Sequence, residues 1–302
     1  MARTSLKSRP FDETTNHSES NTRNGEGGEE MLQIEFKSVS KGFVRKGQRT
    51  DVLRNVNLVC ESGKFTTLVG PSGCGKTTML NLAAGLVQPD EGNIMVGDRQ
   101  VRGPGPDRGV VFQQYALFPW LTVSENIEFG LRCKGTPRGV RAAIIQHYLE
   151  LVGLAKVANA LPKELSGGMK QRCALARALA VGPEVLLLDE PFGALDAITR
   201  ERLQQELLRI SQTEGCTVLF VTHDVDEAVF LSDRVVTFDS VINGIRATTN
   251  IPLTYPRMAD IRLSEEFLEL KRSIWSFMNS ALKESDGAGT RLSSKKSPRN
   301  VS

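Results

Sequence analysis

Apolar and polar residues alternate from Leu32 to Phe36 and the chain from Val52 to Val59 reads similarly, the period-two pattern of strands with one covered face. These two runs predict an antiparallel edge sheet. The pattern then changes: Phe65-Thr66-Thr67-Leu68-Val69 is a short apolar strand leading into a glycine-rich turn and a helix from Lys76 to Leu86. Val185-Leu186-Leu187-Leu188 and Thr217-Val218-Leu219-Phe220-Val221 are uninterrupted apolar runs, as expected of parallel strands covered on both faces. Together they predict an α/β core. From about 115 to 180, the stretches Val123 to Leu131, Val140 to Leu151 and Gly168 to Leu179 have helical spacing and predict a helical insertion between strands. No internal repeat is visible.

The ends differ from the middle. Residues 1–30 are polar and nearly free of large apolar side chains, so they cannot bury enough surface to offset the entropy of ordering, and residues 284–302 look the same. The expected folded domain is therefore 31–283. The first residues lack the apolar segment of a secretory signal, and no stretch approaches the roughly 20 consecutive apolar residues of a spanning helix. Work at a membrane would require a partner to hold the protein there.

With a net charge of +3 and acidic and basic residues well mixed, composition gives no sign of a nucleic-acid binder. The five cysteines, Cys60, Cys74, Cys133, Cys173 and Cys216, show no zinc-type spacing and read as free thiols.

The chemistry begins at the turn after the Phe65–Val69 run. Gly70-Pro71-Ser72-Gly73-Cys74-Gly75-Lys76-Thr77, followed by Thr78, fits G-x-x-x-x-G-K-[ST] between a strand and a helix. Glycines let the backbone wrap a phosphate chain, and the following helix adds its positive end. The motif assigns Lys76 to the β and γ phosphates and the Thr77 hydroxyl to Mg²⁺. The apolar run from Val185 ends in Asp189-Glu190, two carboxylates at the carboxyl end of a parallel strand, suiting Asp189 to the metal and Glu190 to the attacking water. Ser166, in Leu165-Ser166-Gly167-Gly168-Met169, stands as an N-cap before an Ala/Leu-rich helix.

Taken with the phosphate loop and the paired acids, that last segment resembles the LSGGQ signature of the ATP-binding cassette (ABC) ATPases, with Met169 in place of Gln. The resemblance covers about residues 32–240 and implies a P-loop NTPase (RecA-like) core with an antiparallel β edge subdomain and an inserted helical subdomain. It implies that Gln113 belongs to the Mg²⁺ shell, that Gly193-Ala194-Leu195-Asp196 is the D-loop crossing a dimer interface, and that His223 contacts the γ-phosphate. Phe43 falls where the family stacks an aromatic ring on adenine.

The same resemblance implies ATP and Mg²⁺ as cofactors, with ATP sandwiched between the phosphate loop of one subunit and Ser166-Gly167-Gly168 of another. The expected partners are a second ATPase subunit, identical or paralogous, integral-membrane permeases, and an extracytoplasmic solute-binding protein. The expected location is peripheral, on the cytoplasmic face of the inner membrane. Tyr115 to Trp120 would lie in the groove that receives the permease, with packing inside the insertion as the alternative. Leu117 to Ile127 and Pro252 to Trp275 look like importers of nitrate, sulfonate or taurine, whereas Asp239 to Arg246 departs from their usual Pro-Gly-Arg pattern. Another importer subgroup, or a non-transport ABC ATPase acting on nucleic acid, is the alternative.

Overall fold

The early alternation folds into β1 (Ile34–Arg45) and β2 (Gln48–Cys60), an antiparallel hairpin in which Ile34 faces Cys60 and Phe36 faces Leu58. Its two-residue turn, Lys46-Gly47, has φ of 51° and 77°, the left-handed geometry that suits tight hairpins. Ile34 and Phe36 are buried, while Glu35 between them lies on the other face. This computed structural model describes residues 32–239 and 243–292, leaving aside the side chains of residues 45 and 280–292. The expected unstructured start, residues 1–30, lies outside the described residues.

Next come β3 (Phe65–Val69), α1 (Lys76–Ala83), β4 (Glu91–Val96), β5 (Arg99–Gln100) and β6 (Arg108–Val111). Strands β4 and β5 complete the first sheet, in the order β2-β1-β4-β5, antiparallel throughout. Helix α1 stops at Ala83, short of the expected Leu86, because the chain turns through Gly85 at φ 76°.

The insertion follows β6 as α2 (Val123–Cys133), α3 (Arg138–Leu151) and α4 (Gly167–Leu179). Thr122 and Glu125 form a reciprocal capping box at the start of α2. The chain then returns to the sheet with β7 (Val185–Asp189), α5 (Ala197–Glu214), β8 (Thr217–Val221), α6 (Val225–Leu231), β9 (Arg234–Asp239), β10 (Gly244–Asn250) and α7 (Glu265–Leu292).

The second sheet has the order β10-β9-β3-β8-β7-β6, parallel except for β10. Every residue of β3, β7 and β8 is buried, which is why these strands read as continuous apolar runs. One core cluster packs the insertion, α5, α6 and α7 onto this sheet, with Phe192, Phe220, Phe230 and Phe267 fully covered. A second joins the first sheet to α1 and the central sheet through Phe36, Leu53, Met79, Leu80 and Phe238.

Helix α7 corrects the expected domain end. It continues through residue 284 to Leu292, so residues 284–292 are helical, while 293–302 lie outside the described residues. Adding turns to a helix already nucleated and docked through Phe267, Ile274 and Met278 requires no new nucleation.

Candidate nucleotide site

Leu68, Val221 and Asp189 stand in register near the carboxyl ends of β3, β8 and β7, and Val111 at the end of β6 pairs with Leu188, so the four loops that follow emerge along one sheet edge. The first is the phosphate loop. Gly70, Gly73 and Gly75 have φ of 152°, 81° and 102°, conformations that side chains disfavour. At Gly70 a Cβ would also sit 2.6 Å from the Phe238 carbonyl oxygen, whereas at Gly73 the space is open.

Helix α1 opens without a side-chain cap or an acidic residue in its first turn, leaving its first amides to an anion. Lys76 is buried and its Nζ donates to the carbonyls of Gly70 and Pro71, both at 2.8 Å. This ammonium lies within the loop that the sequence assigns to phosphate. Ser72 and Thr77 are exposed, Pro71 and Thr78 half-buried, and Cys74 is buried with its thiol pushed up by desolvation.

The second and fourth loops meet over Glu190, in the third. His223 Nδ1 lies 3.0 Å from Glu190 Oε1, and Gln113 Nε2 donates to Glu190 Oε2 at 3.2 Å. Glu190 itself has φ 47°, a strained conformation for a side-chain-bearing residue. Its amide is fixed by donation to the Val221 carbonyl at 2.9 Å, and its carbonyl receives Gln171 Nε2 at 3.5 Å. Beside it, Thr77 Oγ1 donates to Asp189 Oδ1 at 3.3 Å. Burial foremost, with the Glu190 charge adding, raises the Asp189 carboxyl above its ordinary range, against the lowering effects of Thr77 and Lys76.

That surplus of buried negative character fits Mg²⁺. Thr77 and Asp189 offer two hard oxygens side by side, and Mg²⁺ commonly takes one or two protein oxygens, completing its shell from phosphates and water. Among the described residues no cluster of three His, Cys, Asp or Glu forms a self-sufficient metal cage. The Gln113 amide nitrogen is engaged by Glu190.

The remaining predicted residues lie elsewhere. Ser166 caps α4, accepting from the Met169 amide at 3.3 Å, and is exposed together with Gly167. A Cβ at Gly167 would meet the Tyr115 hydroxyl and one at Gly168 the Ala194 carbonyl, while one at Gly75 would meet Val52 and Leu53. The signature and the phosphate loop thus rest on different parts of the molecule. Asp196 is the N-cap of α5, its Oδ1 accepting from the Thr199 amide at 3.0 Å. Phe43 lies on β1 opposite Thr50; it is exposed, with Lys41 Nζ 5.5 Å from its ring centroid. The pairing of β1 with β2, whose Val52 and Leu53 border Gly75, brings its strand alongside the phosphate loop.

Comparison with known proteins gives the arrangement its family. The ABC transporter family model matches residues 53–193. The chain is 48% identical over 223 residues to the nitrate import ATP-binding protein NrtD of Synechocystis sp., covering 73% of this chain and 84% of that protein. It is 44% identical over 264 residues to the bicarbonate transport ATP-binding protein CmpD of the same organism, covering 84% and 92%. The chain belongs to the ABC transporter ATP-binding family.

Among solved structures, the dimeric post-hydrolysis state of the ATP-binding cassette MJ0796 bound to ADP and Pi matches with a TM-score of 0.68 and 33% identity, covering 73% of this chain and all of that one. The ABC protein described here is accordingly an ATP-binding, ATP-hydrolysing subunit on the P-loop NTPase fold.

Two features of this cassette add detail that its sequence did not give. Tyr115 and Phe118 are half-buried, so the aromatic stretch is partly internal packing. Asn126, fully buried, accepts from the Phe118 amide and donates to the carbonyls of Phe118, Leu121 and Thr122, leaving Trp120 exposed at 72%. Second, Thr222 and Glu227, flanking His223 in the chain, are buried and hydrogen-bonded to each other. Glu227 is legible only as an acid in the first turn of α6, where an acid usually serves the helix dipole.

Proposed function

We propose that this cassette is the ATP-hydrolysing subunit of an importer for a small anion such as nitrate, bicarbonate, a sulfonate or taurine. The single observation that carries the catalytic half is the convergence of His223 and Gln113 on Glu190 beside the Thr77–Asp189 pair. The reaction is in-line attack of water on the γ-phosphate, giving ADP and phosphate.

In this reading Gly70 to Thr78 wraps the phosphates, Lys76 turns from its own loop carbonyls to the β and γ oxygens, and Glu190 accepts the proton of the attacking water. His223 addresses the γ-phosphate and orients Glu190, and Phe43 offers its exposed face to adenine. Thr77 and Asp189, with Gln113 once it leaves Glu190, would hold Mg²⁺, which supplies charge neutralisation at the phosphates. Ser166, Gly167, Gly168 and Asp196 serve the nucleotide of a second subunit, consistent with the dimeric form of the matched cassette.

Transport itself needs partners. Among the described residues no helix is long and apolar enough to cross a membrane. We assign Trp120 and the neighbouring Phe118 and Phe129 rings, 5.8 and 4.4 Å apart from Phe118 by centroid, to the permease contact. On this reading the cassette sits peripherally, on the cytoplasmic face of the membrane. The anion assignment draws on the transporters in which the matched subunits are named. It is tested by co-purifying the chain with its permease, reconstituting the complex with the solute-binding protein, and measuring ATP hydrolysis with each anion. One anion should stimulate hydrolysis severalfold; stimulation by none would reject the anion reading, and failure to associate with any permease would reject the transport role.

A further inference from the structure

The His223 side chain is 68% exposed, against 24% for Glu190, so neighbouring packing does little to hold its ring. Its backbone is held from both sides instead. Thr222 Oγ1 accepts from the Asp224 amide at 3.0 Å, spanning the His223 peptide, and donates to Glu227 Oε2 at 2.7 Å. Gln204 Nε2 on α5 donates to Glu227 Oε1 at 3.0 Å, and Arg262 Nη2 donates to Gln204 Oε1 at 2.6 Å. Thr222, Gln204 and Glu227 are 2%, 1% and 7% exposed. Arg262 lies in the short 3-10 turn Ala259–Leu263 before α7, its guanidinium 4.3 Å from the Phe230 ring centroid.

The same C-terminal segment grips α6 at two further points. The buried Arg257 donates to the carbonyls of Val229, Phe230 and Ser232, and Lys271 Nζ donates to Asp226 Oδ1 at 2.9 Å. A small cavity of about 80 Å³ is lined by Glu190, His223, Thr222 and Glu227, so the inner end of this polar chain shares a wall with the catalytic cluster.

We propose that Glu227 is a positioning residue for His223, and that the relay Arg262–Gln204–Glu227–Thr222 makes the set of the His223 loop depend on the docking of the C-terminal segment. The proposal rests on the assignment of His223 to the γ-phosphate. A buried carboxylate and carboxamide in series with a half-buried guanidinium carry a desolvation cost that apolar packing at the same place would avoid. What such a chain supplies is direction: each bond fixes the next group's orientation, and the last one fixes the peptide that carries the imidazole. Misplacement of a reacting group by an ångström is enough to lower a rate a hundredfold.

The test measures steady-state ATP hydrolysis of the full-length chain with Mg·ATP, alongside thermal melting. Glu227→Ala should lower kcat roughly 10- to 100-fold while the KM for ATP stays within about twofold. Glu227→Gln should recover most of the loss, because an amide can accept from Gln204 and donate to Thr222. Arg262→Ala, at the half-exposed outer end, should lower kcat in the same sense by less, and it carries the test if Glu227→Ala does not fold.

On a His223→Ala background, neither substitution should lower the residual rate further. An unchanged kcat in Glu227→Ala or Arg262→Ala, or the same fold-loss with and without His223, overturns the relay. Full hydrolysis by His223→Ala alone instead refutes the assignment of His223, on which the relay depends.

Discussion

Glu190 shows how much of the site is held by single residues. Its backbone sits at φ 47°, in a region that costs a side-chain-bearing residue on the order of 1 kcal/mol or more. The Val221 carbonyl, Gln113 and His223 hold it there. Glu190→Gln preserves the shape of this arrangement and removes the proton acceptor. It should bind ATP within a few-fold of the wild type and lose turnover by roughly 100-fold or more, which equilibrium binding and phosphate release will separate. Wild-type hydrolysis in that variant would place the base elsewhere.

Asp189 allows a second prediction, on pH. Its carboxyl is raised chiefly by burial, so the folded protein holds that proton more tightly than the unfolded chain. The stabilisation from the bound proton is present below the unfolded value and is lost as pH rises through the raised folded value. Above that raised value the ionised side chain therefore lowers the stability of the nucleotide-free cassette. Asp189→Asn should melt at the same temperature or higher without nucleotide, yet lose most of the thermal shift that Mg·ATP gives the wild type. A lower melting temperature without nucleotide would show that the carboxylate is net stabilising on its own.

At the scale of elements, the phosphate loop separates two uses of glycine. Gly70 needs both its φ of 152° and the absence of a Cβ, because the Phe238 carbonyl of β9 closes against it. Gly73 needs only its φ of 81° and faces open space. Gly70→Ala should thus cost about 1–3 kcal/mol or more in denaturant unfolding, and Gly73→Ala less, since strain without a backbone clash is the smaller penalty. Equal losses would mean that the approach of β9 does not constrain the loop.

Strands β3, β7 and β8 were legible because burial on both faces leaves no polar interruption, and the loop after β3 because its spacing is its chemistry. Motif order marked Glu190, Gln113 and His223 as candidates for one site, but the hydrogen bonds that join Glu190 to the other two could not be read from it. The chain from Arg262 through Gln204 to Glu227 was not legible: its partners sit on three separate elements, with Arg262 and Gln204 58 positions apart, and no local periodicity links them. The extent of α7 was missed for another reason. Its later residues look polar and glycine-containing in isolation, while docking of its first half lowers the cost of extending it.

At the scale of the whole molecule, the proposed site divides into two halves. Lys76 and Thr77 belong to a loop packed against β9 and β2, whereas the exposed Ser166 and Gly167 cap a helix beside Tyr115 and Ala194. A surface with an exposed helix N-terminus on one part and a phosphate loop on another is suited to a head-to-tail pair of chains, in which each nucleotide lies between the loop of one and the signature of the other.

This separation can be measured in the Glu190→Gln background, where bound ATP would persist. Sedimentation should show dimers that form with Mg·ATP and dissociate without it. Adding Ser166→Arg should abolish those dimers while the chain still binds ATP with nearly unchanged affinity, because in the proposed two-subunit site the substituted residue faces the partner's nucleotide. Adding Lys76→Ala should weaken both binding and dimerisation. If Ser166→Arg removed ATP binding by the monomer, the signature would belong to its own chain's pocket, and the two-subunit site would be wrong.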